Sequence, residues 1–220
     1  MAKRTIAILG GTGDLGTGLA IRWSRAGHSI VIGSRTLEKA RTAVENLKRV
    51  SPATPAQAME NAAAAQAGDI VVLTVPFEHQ LSTLETVKAG LGGKILIDVT
   101  VPLVPPNVGT VQLPPEGSAG KRAQSFLGDG VMVVTAFQNV AAHLLQQDVR
   151  IECDVLVAGN KKAARDAVIE LVEEAGMQGW HAGPIENSAA AEALTSILIQ
   201  INRRHDIAHS GIKIVGQGDH

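Results

Sequence analysis

The residues with the types and spacing for chemistry begin with Gly10-Gly11-Thr12-Gly13-Asp14-Leu15-Gly16. In the pattern Gly11-x-Gly13-x-x-Gly16, the first glycine permits a tight turn. The second lets main chain approach an anion, and the third lets a helix pack closely on the preceding strand. Unpaired amides and the helix dipole then favour a phosphate, so residues 11–16 are candidates for a dinucleotide pyrophosphate. About twenty residues further on, NAD-binding folds place an acid for the ribose hydroxyls. Here stand Ser34 and Arg35, with Thr36 and Lys39 behind them. Hydroxyls and a bidentate cation suit a 2′-phosphate, and the set reads as a site for NADP(H).

A second group lies where strands are expected to end. His79 follows Pro76 and Phe77, and Gln138-Asn139 follow an apolar run at 130–135. Neutral amides position a carbonyl or a ribose but are poor general acids. These are ring-positioning candidates, and their neutrality fits a partner that is itself a hydride-accepting ring, which needs chiefly proximity and stacking. His205 and His209 offer two imidazoles one turn apart. A zinc site needs a third ligand, and histidines are favoured at a helix C-terminus, so no metal is assigned.

The elements that must hold these residues follow from periodicity. An apolar run at 5–9 is a strand, and Leu15, Leu19 and Trp23 form one stripe along a helix over 15–25. The pattern continues with a strand at 29–33, a helix over 36–50, an alanine-rich helix over 56–67 and a buried strand at 69–75. A helix over 77–90, a strand at 94–99, a helix over 118–127 and a strand at 130–135 complete an alternation that predicts a doubly wound parallel sheet of Rossmann type. The segment 101–120 interrupts it. Pro102, Pro105, Pro106, Pro114 and Pro115 fall there, and a loop of that length reads as a cover for a ligand.

After residue 140 the rhythm changes. A strand at 150–158, a helix capped by Asn160, a strand at 178–182, a helix from Asn187 or Ser188 to about His205 and an edge strand at 211–215 form a small α/β lobe. The division is 1–140 for the nucleotide and 141–220 for completing the substrate cleft. The last helix is apolar around much of its circumference, which predicts burial between lobes or against a second subunit.

The 220-residue chain has a net charge of −1, which offers nothing to nucleic acid or an acidic membrane. One cysteine excludes an internal disulfide and suits a reducing cytosol. The absence of tyrosine removes the proton donor of short-chain dehydrogenases. With no signal-peptide core and no stretch of membrane-spanning length, the chain reads as cytoplasmic.

The run from Ile8 to Gly16, Gly33-Ser34-Arg35 with Lys39, Val72 to Pro76 and Asp98 to Pro102 together resemble the coenzyme F420-dependent NADP oxidoreductases. So do Glu116 to Ala119, Ala136 to Asn139, and the closing stretch from Leu194-Thr195 to Gly211-Ile212-Lys213-Ile214. The resemblance covers essentially the whole chain. It implies a cytoplasmic homodimer passing hydride between the nicotinamide and a deazaflavin, with NADP(H) and F420 as its cofactor and co-substrate. It places Thr12 to Leu15 on the pyrophosphate and Ser34, Arg35 and Lys39 on the 2′-phosphate. Thr74 and Pro76 join the cofactor side. Phe77, Val101 and Ala142 would line the pocket of the two rings, with Gly211 near it. Thr36 stands where some members carry a second arginine, and Gln138 where some carry a histidine. The readings left beside this one are an NADPH-dependent reductase of a flavin or other small acceptor, and a non-catalytic NADP(H)-binding sensor.

Overall fold

The computed structural model describes residues 3–216. Alternating apolar residues build its centre. In β1 (Thr5–Leu9), Ile6 and Ile8 enter the core on one face of the sheet, and Ala7 and Leu9 enter the core on the other. A strand buried on both sides needs helices on both sides, and the chain supplies them in alternation.

The order is β1, α1 (Asp14–Arg25), β2 (Ser29–Ser34), α2 (Leu37–Val50), β3 (Ala56–Glu60), α3 (Asn61–Ala67), β4 (Ile70–Leu73) and α4 (Gln80–Val87). It continues with β5 (Ile95–Asp98), α5 (Ala119–Leu127), β6 (Met132–Thr135), α6 (Ala142–Leu145), β7 (Asp154–Gly159), α7 (Lys162–Glu174), β8 (Gln178–Gly183) and α8 (Ser188–His205). One eight-stranded sheet runs β3-β2-β1-β4-β5-β6-β7-β8. The first six strands are mutually parallel, so their carboxyl ends share one edge. The β7 strand is antiparallel to β6, and β8 is parallel to β7, so residues beyond 140 extend the same sheet.

Several elements depart from the sequence reading. The stretch 56–67 is not one helix: its first five residues form β3, in register with β2 from Ile30↔Ala56 to Ser34↔Glu60. Alanine's preference for helix is worth tenths of a kcal/mol per residue, and the free edge of β2 outweighs it over so short a stretch. Asn160 does not cap α7, whose N-cap is Lys161; its Oδ1 accepts from the Ile185 amide instead. The seventh strand starts at Asp154 rather than 150.

The expected edge strand at 211–215 has no strand ladder. One buried carboxylate holds the segment. Asp154 accepts from Lys213 Nζ at 2.7 Å, from the Ile214 amide at 2.9 Å and from Trp180 Nε1 at 2.9 Å. Burial works against that charge, yet these hydrogen bonds together hold the Asp154 carboxyl below the ordinary carboxylate range. No described helix is long and apolar enough to cross a membrane.

Candidate functional site

The turn between β1 and α1 is shaped by glycine where side chains cannot fit. Gly10 has φ +70°, a left-handed conformation that glycine adopts at no steric cost. The amides of Gly10 and Gly11 both donate to the Gly33 carbonyl, tying the turn to the end of β2. A Cβ on Gly16 would stand 2.7 Å from Gly11 Cα and 2.8 Å from Thr74 Oγ1, so this glycine sets how closely α1 approaches the sheet. Gly13 differs. It has extended backbone, and a Cβ there would meet nothing nearer than the Gly10 carbonyl at 3.9 Å. The fold itself does not require glycine at 13, whereas a ligand lying against the main chain does. No side chain caps α1, so its first-turn amides are free to meet an anion.

A cavity of about 350 Å³ runs along this edge of the sheet. At one end it is walled by Ser34, Arg35, Thr36 and Lys39, in the middle by Gly10, Thr12 and Gly13, and at the other end by Thr74, Pro76 and His79. Among the described residues no carboxylate lines it. Ser34 is buried and accepts from the Thr36 amide, while Arg35 and Lys39 are exposed. Thr74 Oγ1 donates to the Leu9 carbonyl, fixing the end of β4 to that of β1. Asn61, at the start of α3, adds a buried Oδ1 with no described hydrogen-bond partner. Glycine-made space, uncapped amides and paired cations fit a dinucleotide that carries an extra phosphate.

A second cavity, of about 180 Å³, opens beyond the end of β6. Gln138 and Asn139 line it, but both are pinned from behind. Gln138 Nε2 donates to the Asp98 carbonyl at 3.0 Å. Asn139 Nδ2 donates to the Ala191 carbonyl at 2.8 Å and to Thr195 Oγ1 at 3.2 Å. Buried amides held in this way present fixed faces.

Sequence reasoning missed the imidazoles here. His143, on α6, and His209 share the wall, with ring centroids 3.7 Å apart and planes tilted by 47°. The spacing in the sequence sets His209 one helical turn from His205. The helix instead ends at Asp206, whose left-handed backbone (φ 52°) sends His209 across to His143. Only the tertiary course of the chain pairs these rings.

The remaining candidates line neither cavity. Phe77 lies under the Arg122 guanidinium, 4.7 Å from the ring centroid, in a groove with Leu113 and Pro114. Val101 is half-buried, Ala142 opens α6, and Gly211 lies against Cys153. Two carboxylates tie helices to this edge. Asp98, fully buried, accepts from the Thr100 amide, Thr100 Oγ1 and Gln80 Nε2, and burial pushes its pKa up. Glu192 on α8 accepts from the amides of Ala119 (2.6 Å) and Gly120 (3.0 Å) at the start of α5, and burial pushes its pKa up to about 7.

A family profile described as NADP oxidoreductase, coenzyme F420-dependent, matches residues 5–102. The F420-dependent NADP reductase of Methanocaldococcus jannaschii is 38% identical over 95% of this chain and 97% of its own length. The chain belongs to the F420-dependent NADP reductase family. The reductase of Methanothermobacter marburgensis is similar to the same extent. A crystal structure from Arthrobacter sp. FB24, described as an F420-dependent NADP reductase, superposes with a TM-score of 0.83 at 26% identity, covering 97% of this chain and 100% of that one. The profile covers the nucleotide turn and stops before the second cavity, whereas the alignments with the two reductases run over 95% of the chain. In this chain an amide at 138 and imidazoles at 143 and 209 line the second cavity.

Proposed function

We propose that this chain transfers hydride reversibly between NADP(H) and coenzyme F420 along the carboxyl edge of its sheet. The observation that carries the proposal is the carboxylate-free cavity joining the α1 turn to Ser34, Arg35 and Lys39. Full-length kinship to reductases of that name supplies the acceptor. The turn at residues 12–15 holds the pyrophosphate, and Ser34, Arg35 and Lys39 hold the 2′-phosphate. Thr74, Pro76 and His79 border the nicotinamide, and Gln138 and Asn139 position the second ring, while Phe77, Val101, Ala142 and Gly211 stand outside the two cavities. The bound nucleotide supplies the hydride; the protein supplies proximity, exclusion of water and fixed hydrogen-bonding faces.

Residues 1–140 thus bind the nucleotide and residues 141–220 complete the cleft. The exposed Ile197 and Ile201 of α8 support a homodimer, and a single cysteine suits a reducing cytoplasm.

Mixing the protein with NADPH and oxidised F420 should bleach the deazaflavin absorbance, with FMN and riboflavin as competing acceptors. No bleaching at any pH rejects the proposal. Replacing Arg35 by alanine should raise KM for NADPH by about 10- to 100-fold, the worth of one charge-assisted phosphate contact. The KM for NADH should hardly move, and equal effects on both would remove the phosphate assignment.

A further inference from the structure

We propose that Asp154 is a positioning residue for the acceptor site: by holding Lys213 and Ile214 it sets the register of residues 207–214, which wall the second cavity. The inference rests on reading that cavity as the place of the acceptor ring. Asp154 lines neither cavity and takes no part in the hydride step. It is a buried carboxylate, 2% exposed, at the first residue of β7.

The course of the chain after α8 shows what this carboxylate holds. Residues 207–216 form neither helix nor strand ladder, yet Ala208, His209 and Ser210 line the second cavity. Fastenings on either side keep them there. Toward α8, the Ile207 amide donates to the Asn202 carbonyl at 3.1 Å. Ser210 donates through its amide to Asn202 Oδ1 at 3.1 Å and through Oγ to the Leu198 carbonyl at 3.4 Å. Toward β7, the ties converge on one residue. The Asp154 amide donates to the Ile212 carbonyl at 2.8 Å, Oδ1 accepts from Lys213 Nζ at 2.7 Å, and Oδ2 accepts from the Ile214 amide at 2.9 Å. Trp180 Nε1, on β8, donates to the same Oδ2 at 2.9 Å and so holds the carboxylate from the sheet. Between the two sets, Gly211 passes so near Cys153 that a Cβ would stand 2.9 Å from its Cβ and Sγ. Cys153 Sγ donates in turn to the carbonyl of Asn139, which lines the cavity.

A carboxylate taken out of water costs stability unless it is paired, and a buried pair adds little that well-packed apolar groups would not. What it adds is direction, because each oxygen accepts within a narrow geometry. An apolar contact here would let the segment slide by a residue. With Lys213 Nζ on one oxygen and the Ile214 amide on the other, a single register satisfies both. In that register His209 reaches His143, with ring centroids 3.7 Å apart, and the wall stands before a ligand arrives. Unfastened, residues 208–210 would have to be ordered by the ligand itself, which weakens its binding.

The test compares the full wild-type chain with Asp154→Asn, Lys213→Gln and Lys213→Arg, using NADPH and F420 as substrates. Lys213 is half-exposed and outside the sheet, so K213Q keeps the test open should D154N fail to fold. Each of D154N and K213Q should raise KM for F420 by at least about 10-fold, while KM for NADPH stays within about 2-fold. At saturating F420, kcat should stay within about 3-fold, since the bound ring restores the wall. A variant that was merely less stable would lose active protein, and hence kcat, with KM unmoved. The double variant should be no worse than either single one, and K213R, which keeps the cation, should behave as wild type. Without substrates, the ring-current shifts that His143 and His209 impose on each other should collapse in D154N and K213Q and persist in K213R. Unmoved KM for F420, an equal rise in KM for NADPH, unchanged ring shifts or a failed rescue by arginine would each overturn the role of Asp154 while the hydride reading stands. A wild-type protein inert toward F420 overturns the acceptor reading, and the ring shifts then still show whether Asp154 sets the register of the segment.

Discussion

Glycines 13 and 16 share one motif and differ in what they do, and single substitutions can separate the two roles. At Gly16 an added methyl collides with Gly11 Cα at 2.7 Å, main chain that cannot move aside. Overpacking of this kind costs about 1–3 kcal/mol, so Gly16→Ala should lower the melting temperature by several degrees. At Gly13 the backbone angles, φ −85° and ψ 169°, are open to any residue, and the methyl meets no protein atom within 3.4 Å. Gly13→Ala should therefore melt within about 2 °C of wild type. Its KM for NADPH should rise by at least about 10-fold, the result of holding a pyrophosphate off the main chain by one methyl. A Gly13→Ala protein that binds NADPH normally would show that no ligand lies against this turn.

Among elements, α8 and α5 are joined through one carboxylate whose titration should be visible in stability. Glu192 has an ordinary pKa of 4.5, raised by burial to about 7 in the fold. Between those values the unfolded chain has released a proton that the folded chain still holds. Stability therefore falls as pH rises across this window and levels off above it. The Glu192 contribution is on the order of 3 kcal/mol. Melting temperature measured from pH 4.5 to 8 should decline, and Glu192→Gln should flatten that decline; an unchanged slope in the variant would remove Glu192 as its source.

The sequence showed the alternation of strands and helices because apolar runs of the right length are local signals. It did not show this carboxylate tie, because residues 119 and 192 are remote in sequence and only folding brings them together. The same limit explains the misread stretches. Residues 56–60 carry helix-forming alanine yet take the free edge of β2. Residues 211–215 look like a strand yet hang on Asp154, which lies far earlier in the chain. The nucleotide turn was legible because its residues are contiguous. The pairing of His143 with His209 was not, since it depends on where α8 ends.

At the scale of the whole molecule, α8 links the proposed acceptor cavity to the proposed subunit contact. One side of the helix brings Thr195 and Asn202 to the cavity wall, while Ile197 and Ile201 are 44% and 37% exposed. Fully burying an isoleucine is worth about 1.5–3 kcal/mol, so covering the remaining exposed fraction of two per subunit, doubled by symmetry, contributes roughly 2–5 kcal/mol to a dimer. A partner pressed on that face would also steady the wall facing the acceptor, without touching the nucleotide cavity at the other end of the sheet edge. Ile197→Glu should then convert a dimer, measured by light scattering, into a monomer. The same variant should raise KM for F420 by about 10-fold, a shift of about 1.4 kcal/mol, and leave KM for NADPH unchanged. A wild-type protein that scatters as a monomer removes the subunit contact. A monomeric Ile197→Glu variant with unaltered KM for F420 would separate assembly from acceptor binding, leaving α8 to hold its wall alone.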